Sequence, residues 1–489
     1  MKLACSALFA LAALAALPAH AAKKAPKKLT GLEQIQTVVV LYGENRSFDN
    51  LYGSFPGANG IANATAENGL VQRDRDGTVL ATLPPVWQKV GVPDPQYPAA
   101  MPNAPFQIDA PPINLPLSAK TRDLTHRFYQ NQMQINGGKN DMFVAWSDAG
   151  ALTMGHYDGA SLPLWKLARE YTLADNFFMG AFGGSYINHM WLACACTPNF
   201  PNAPDKMRAK LDANGRLMVK DDSPASAMAG GPKFQDGVIS PDGYTINTVQ
   251  PSYQPSLAKP AQDDPRLADP ADDPLPPQTL KTIGDTLSDK RVTWKWYAGG
   301  YNAALKDRKQ IYGGEVDFQP HHQPFNYFLR FAPGTKDRAI HLKDGEDMMA
   351  DIKAGKLPQV TFYKPSGKLN EHPGGANVME GDIHLADIVA KLKASPQWKH
   401  MAIIITYDEN GGFWDHVAPP KGDRWGPGSR IPAIIISPYA KKGFVDHTPY
   451  DTTSILQFLT HRFKLEPLPG VRTQQGDLTN AFELNKAAR

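Results

Sequence analysis

Short, nearly continuous apolar runs recur along the chain, separated by stretches with helical spacing. The runs rich in Val, Ile, Tyr and Phe fall at residues 36–42, 171–177, 292–297, 359–363, 402–407 and 433–436. Runs of this length and composition predict strands buried on both faces rather than strands with one wet side. Residues 161–170, 385–394 and 451–461 carry the 3.6-residue spacing of helices and lie between strands. Strand–helix alternation of this kind predicts an α/β fold with a mostly parallel central sheet. In such sheets ligands sit beyond the carboxyl ends of the strands.

Two of the runs end in the same unusual way. "TVVVLYGENRSFDNLYG" (37–53) passes from valines into Glu44 and Asn45, and "MAIIITYDENGGFWDH" (401–416) passes from isoleucines into Asp408 and Glu409. Taken singly, each acid reads equally as a helix cap or a loop acid. Together they predict one site at the ends of two strands. Clustered carboxylates raise one another's pKa unless a cation separates them. Oxygen donors suit a hard or borderline divalent ion such as Mg, Ca or Mn, so a metal of unknown identity is expected there.

Between these runs lies "MGAFGGSYINHMWLACAC" (179–196). Gly183 and Gly184 permit a tight turn, and Ser185 falls where a helix begins. Ser185 is therefore either an N-cap or a hydroxyl presented at the anion-attracting end of a helix. Asn188 and His189 follow one turn later and are expected to face the same pocket. Histidines stand beside acids and turn residues: His126 in "TRDLTHRFYQNQ", His321 and His322 in "FQPHHQPFNYF", His372 in "GKLNEHPGG", His384 after Asp382 and His416 after Asp415. Such groupings suggest phosphate ligands, a general acid or metal ligands. The roles of His384 and His416 stay open.

Composition narrows the class. Lys and Arg number 51 against 48 Asp and Glu, a near balance that argues against a nucleic-acid binder. The 43 prolines in 489 residues concentrate at 84–116 and 251–277, which predicts long ordered loops. Residues 200–280 break the strand–helix rhythm and read as a loop-rich insertion or cap. Residues 1–21 show a Lys2 n-region, an apolar stretch and Ala19-His20-Ala21, the pattern of a cleaved secretory leader. The expected division is a leader at 1–21 and one domain at 22–489, periplasmic or secreted, without a membrane span. Cys194 and Cys196, one residue apart, read as two buried thiols rather than a disulfide.

The segments "ENRSFDNLYG", "GGSYINH", "EHPGG…EGD", "YDENGGFWDHVAPP" and "SRIPAIIISPYAKKGFVDH" resemble the bacterial phosphoesterase family of secreted acid phosphatases and non-haemolytic phospholipases C. The resemblance runs over roughly 35–465. It implies an alkaline-phosphatase-like α/β/α sandwich. It implies metal ligation by Glu44, Asn45, Ser185, Asp408 and Glu409, with Ser185 as nucleophile. It places His126, His321, His322 and His372 around the phosphate, with His372, His321 or His322 as the leaving-group acid. "HHQPFNYF" resembles the acid phosphatase branch more than the phospholipase branch. The resulting expectation is an acid phosphatase working on phosphomonoesters through a phosphoserine. The alternatives are a phospholipase C on a phospholipid headgroup, or a secreted protein that binds metal and phosphate without turnover.

Overall fold

The computed structural model describes residues 29–484, so the leader at 1–21 and the last five residues lie outside the described part. A nine-stranded sheet organises the chain. Its strands are β1 (Thr37–Gly43), β2 (Thr172–Phe178), β3 (Trp294–Ala298), β4 (Leu342–Asp344), β5 (Val360–Lys364), β6 (Met401–Tyr407), β7 (Arg430–Ile436), β8 (Phe444–Asp446) and β9 (Tyr450–Asp451). They run in the order β4-β3-β5-β1-β6-β7-β2-β8, with β9 also paired to β2. Only β7 opposes its neighbours; every other pairing is parallel. The expected α/β class with a mostly parallel sheet is what the chain forms.

All residues of β1, β5, β6 and β7 are buried, which is why their sequences read as unbroken apolar runs. The helices that cover the sheet include α1 (Pro163–Glu170), α2 (Ser185–Cys194), α3 (Gly345–Ala354), α4 (Val378–Ala394) and α5 (Thr452–Phe463). They pack in two groups, α2 with α5, and α1 and α3 with α4. α4 begins seven residues before the helix expected at 385, and Asn377 caps it through a bond from the Glu380 amide.

Residues 200–280 hold only short 3-10 turns and isolated bridges, among them Asp205–Met207, Ala227–Ala229 and Pro270–Asp272. The segment is fastened to the body by Arg127 to Asp236 and by Arg424 to Asp242.

The cysteine expectation is corrected. Cys194 and Cys196 form a disulfide with their Cα atoms 5.1 Å apart. Ala195 ends α2 in the left-handed conformation, φ 46°, which swings Cys196 back towards Cys194. A strand-like spacer would have held the two Cα atoms about 6.5–7 Å apart, at the edge of what a disulfide spans. Closing so small a loop removes little chain entropy, so the core still carries the stability.

A buried acid links two helices across the core. Asp382 of α4 is 1% exposed, and its Oδ1 accepts the Leu164 N–H at 3.0 Å, satisfying an orphan donor at the start of α1. Burial pushes its carboxyl up to about 7. A carboxyl whose folded pKa lies above its unfolded value contributes most below about pH 4, and its contribution is lost as pH rises through about 7. Asp382→Asn keeps the acceptor and removes the charge. Its thermal stability relative to the parent is expected to rise between about pH 5 and pH 8, by a few degrees, as roughly 1 kcal/mol moves Tm by about 1 °C in a chain this long. Unfolding scans across that range check it, and a pH-independent difference would contradict it.

Candidate active site

Three neighbouring parallel strands deliver the site's charges at their carboxyl ends. β1 lies between β5 and β6, with Leu41 beside Tyr363 and Gly43 beside Tyr407. The next residue along each strand is therefore Lys364, Glu44 or Asp408. The β1 and β6 loops are then knitted together by backbone. Asn45 N–H donates to Asp408 Oδ1 at 3.1 Å, and Arg46 N–H donates to the Glu409 carbonyl at 3.0 Å. Asn45 sits at φ 63°, a conformation asparagine tolerates better than most side chains. Gly411, at φ +63°, has no room for a Cβ, which would come within 2.3 Å of the Asn45 carbonyl.

Ser185 arrives from the other side. The turn after β2 brings Gly184 so close to the His126 carbonyl that a Cβ there would lie 2.6 Å away. Gly184 is the N-cap of α2, and Ser185 is its first helical residue. The capping alternative is thereby excluded, because Gly184 holds the cap position and no side chain caps the helix there. Its Oγ lies 3.2 Å from Asn45 Oδ1 and 3.5 Å from Glu409 Oε1. In front of it opens a cavity of about 260 Å³ lined by His126, His321 and His372, and also by Arg127, Tyr186, Asn247 and Tyr312.

Not every expected residue reaches that cavity. Asn188 is turned into the glycine turn, accepting from Ala181 N–H at 2.8 Å and donating to the Ala181 and Gly184 carbonyls at 3.1 Å each. It shapes the turn instead of facing phosphate. His189 is fully buried behind Ser185, its Nδ1 donating to the Ser185 carbonyl at 2.7 Å. His322 is also fully buried, 3.1 Å from Glu44 Oε2. Of the histidine pair, only His321 borders the cavity, and neither of its ring nitrogens meets a protein partner among the described residues.

The electrostatics divide the histidines into two kinds. Burial, together with the neighbouring His322 ring, holds His321 well below the ordinary histidine value. Burial also lowers His322, although Glu44 works against it. Burial thus disfavours the protonated form of both rings, against their reading as the leaving-group acid. His126 and His372 are the opposite kind. Burial disfavours their charge, yet Glu409 and Asp123 raise His126, and Asp123 and Glu44 raise His372. Each fixes its Nδ1 on a backbone carbonyl, Leu124 and Pro373 respectively, both at 2.6 Å. Nε2 is then the remaining exchangeable atom of each ring, and it faces the Asn45 amide, 3.1 Å from Nδ2 in His372 and 3.5 Å in His126.

The floor fits a divalent cation. Glu44, Asp408 and Glu409 are fully buried, with Lys364 against Glu44 and Asp408 and the His126 ring 3.8 Å from Glu409. Three carboxylates gathered in the interior disfavour their charged forms unless a cation joins them. Burial accordingly pushes Glu409 well up, with His126 opposing and Asp408 adding to it, and burial outweighs Lys364 to raise Asp408 as well. Glu44 differs: burial opposes its charge, but Lys364 and His322 hold it well below the usual range. With Asn45 Oδ1 and Ser185 Oγ alongside, the donor set is oxygen-rich, as a hard or borderline ion requires. Glu44, His321 and His322 also bring three ligand atoms within 4.8 Å of one another, as do Asp123, His126 and His372.

A third such group, Asp49, Asp415 and His416, already has its cation. Arg430 reaches Asp49 at 3.1 Å and Asp415 at 3.0 Å, while His416 bridges Asp49 at 2.6 Å and Asn59 at 3.1 Å. His416 thus ties the β1 and β6 loops together from below. His384 stands apart, its Nε2 2.8 Å from the Tyr363 hydroxyl. Sequence reasoning missed Lys364, Asn370 and Arg430. Asn370 bonds directly to Glu44 Oε2 and lies within the "GKLNEHPGG" segment already singled out for His372.

The profile of the Phosphoesterase family matches residues 35–466, nearly the whole described chain. The chain belongs to the Phosphoesterase family. This phosphoesterase is 26% identical to Phospholipase C B of Mycobacterium tuberculosis, over 94% of this chain and 79% of that protein. It is 25% identical to the non-hemolytic phospholipase C of Pseudomonas aeruginosa, over 94% of this chain and 58% of that protein. Among solved structures it is similar to a protein of the alkaline phosphatase superfamily from Vibrio parahaemolyticus, with TM-score 0.34, 12% identity and coverage of 76% and 75% of the two chains. The relatives carry the phospholipase C name, against the acid phosphatase branch that "HHQPFNYF" suggested. No helix of the phosphoesterase is long and apolar enough to cross a membrane, among the described residues.

Proposed function

We propose that this phosphoesterase hydrolyses phosphodiesters in the manner of a phospholipase C, outside the cytoplasm, through a covalent phosphoester on Ser185. The observation that carries the reading is the Ser185 hydroxyl, 3.2 Å from Asn45 and 3.5 Å from Glu409, at the base of a cavity walled by histidines. Glu44, Asn45, Ser185, Asp408 and Glu409 would hold a divalent cation. Bound there, it would supply charge neutralisation at the phosphoryl group and a lower serine pKa.

The remaining chemistry belongs to the chain. The first amides of α2 and the His321 ring face the cavity and donate to phosphoryl oxygens. Ser185 Oγ attacks phosphorus in line and passes its proton to Glu409. The bond to the leaving oxygen breaks as His372 Nε2 delivers a proton to it. Water then attacks the serine-bound phosphodiester, giving its proton to His372; the remaining ester leaves as a phosphomonoester, and Ser185 recovers its own proton from Glu409. Splitting the displacement in two and reusing one histidine as acid and then base is ordinary covalent catalysis.

The preference for diesters rests on charge and on the relatives. A phosphomonoester carries about −1.5 to −2 near neutrality, a diester one charge. The acid phosphatase expectation needed His321 and His322 to become cations, and burial opposes that for both. Lys364 and Arg127 are engaged by Glu44 and Asp236. The relatives named above are phospholipases C. The test is kcat/KM on an aryl phosphate, a bis-aryl phosphate and a choline phospholipid from about pH 5 to pH 8.5. Diesters are expected to lead by roughly tenfold or more, about 1.4 kcal/mol in barrier. A monoester that leads at every pH would make the chain an acid phosphatase.

A further inference from the structure

Lys364 ends β5 and is fully buried. Its Nζ donates to the Gly43 carbonyl at 3.2 Å and lies 3.3 Å from Glu44 Oε2 and 3.5 Å from Asp408 Oδ2. The Tyr42 ring approaches it at 5.3 Å. An ammonium has three N–H donors, and here three oxygens surround it. Two of those oxygens belong to acids on different strands, β1 and β6, while the lysine itself comes from β5. One buried charge therefore spans the carboxyl ends of three strands.

We propose that Lys364 is a positioning residue: an internal counter-cation that holds Glu44 and Asp408 in their ligand positions before any metal arrives and then shares their charge with it. The inference rests on the metal reading given above. Two buried acids at neighbouring strand ends would otherwise spread apart or draw in water. With Lys364 in place, the metal-free chain keeps the floor folded. Without it, the metal must balance a larger share of the charge of Glu44 and Asp408. The two cations also repel each other through the carboxylates they share, so Lys364 makes the site less dependent on metal for its stability.

The test compares the parent with Lys364→Met, which keeps most of the side chain's bulk and removes its charge. Elemental analysis gives the metal content of each protein, and thermal unfolding gives Tm before and after exhaustive chelation and buffer exchange. Chelation is expected to lower the Tm of Lys364→Met by about twice as much as that of the parent or more, with added metal restoring it. Equal drops in the two proteins would overturn the proposal, since a merely packed lysine would lower both states alike. A parent that carries no metal and ignores chelator would overturn the metal reading itself, and this inference with it. If Lys364→Met does not fold, the double variant Lys364→Met/Glu44→Gln decides. Removing one acid along with its counter-cation is expected to recover soluble protein. A double variant that fails as badly as the single one would assign Lys364 a packing role only.

Discussion

Ser185→Ala is expected to lose turnover by about 10,000-fold or more, as removal of a covalent nucleophile does in other hydrolases. That is roughly 5.4 kcal/mol of barrier at about 1.36 kcal/mol per tenfold. The loss should be chemical and not structural. Ser185 is 6% exposed, and its Oγ lies 3.2 Å from Asn45 and 3.5 Å from Glu409, so its removal costs on the order of 1 kcal/mol of stability. Its backbone amide stays in place, and so does the glycine turn that Asn188 holds. Substrate affinity should therefore survive better than kcat. Steady-state kinetics on a bis-aryl phosphate, beside a thermal melt, checks both halves. Activity within about tenfold of the parent would mean that another group attacks, and unchanged residual activity in both proteins would favour the binding-protein alternative.

The second large effect concerns the charge under Ser185. Glu44→Gln and Asp408→Asn keep the shape of each side chain while removing one of three buried negative charges. Both variants are expected to lose metal and turnover together, by roughly 1,000-fold in kcat/KM, the scale of several kcal/mol of charge stabilisation. Glu44→Gln should be the more disruptive for its surroundings, because Lys364, His322 and Asn370 all converge on that carboxylate. Asp408 also anchors the Asn45 and Glu409 amides, which an asparagine Oδ1 can still accept. Elemental analysis of parent and variants, with kcat/KM before and after chelation, checks the expectation. A fully active parent with no bound metal would contradict it.

Much of the fold was legible because strands buried on both faces have no polar side to interrupt them. β1, β5, β6 and β7 are buried at every position, and each was located to within a few residues. β4, β8 and β9 were not visible. They are two or three residues long, too short to show a period. The start of α4 was missed because Gly381 and Asp382 interrupt its apolar stripe. Gly381 is needed where it is, since a Cβ would meet Glu371 Cγ at 2.3 Å.

In the site, Glu44, Asn45, Asp408, Glu409 and Ser185 stood out as polar residues abruptly ending apolar runs. The histidines did not sort themselves so easily. Whether a ring is a cation or a neutral donor depends on what is packed around it, and His321, His322 and His189 stack together in the interior. Asn188 was misdirected for a related reason, because helical spacing gives a face but not whether that face meets a cavity or a turn. Lys364 was invisible because a lysine after an apolar run normally marks a strand end reaching water. Only the register of β5 beside β1 shows that it meets Glu44 instead.

The most direct test of the central reading is the phosphoenzyme itself. Parent protein and Ser185→Ala would each be mixed with a bis-aryl phosphate, quenched in acid within the first turnover, digested and mapped by mass spectrometry. The peptide holding Ser185 is expected to carry the transferred aryl phosphoryl group in the parent and none in the variant. A phosphoryl group on another residue, or full single-turnover product release from the parent with no labelled peptide at any quench time, would contradict Ser185 as the nucleophile.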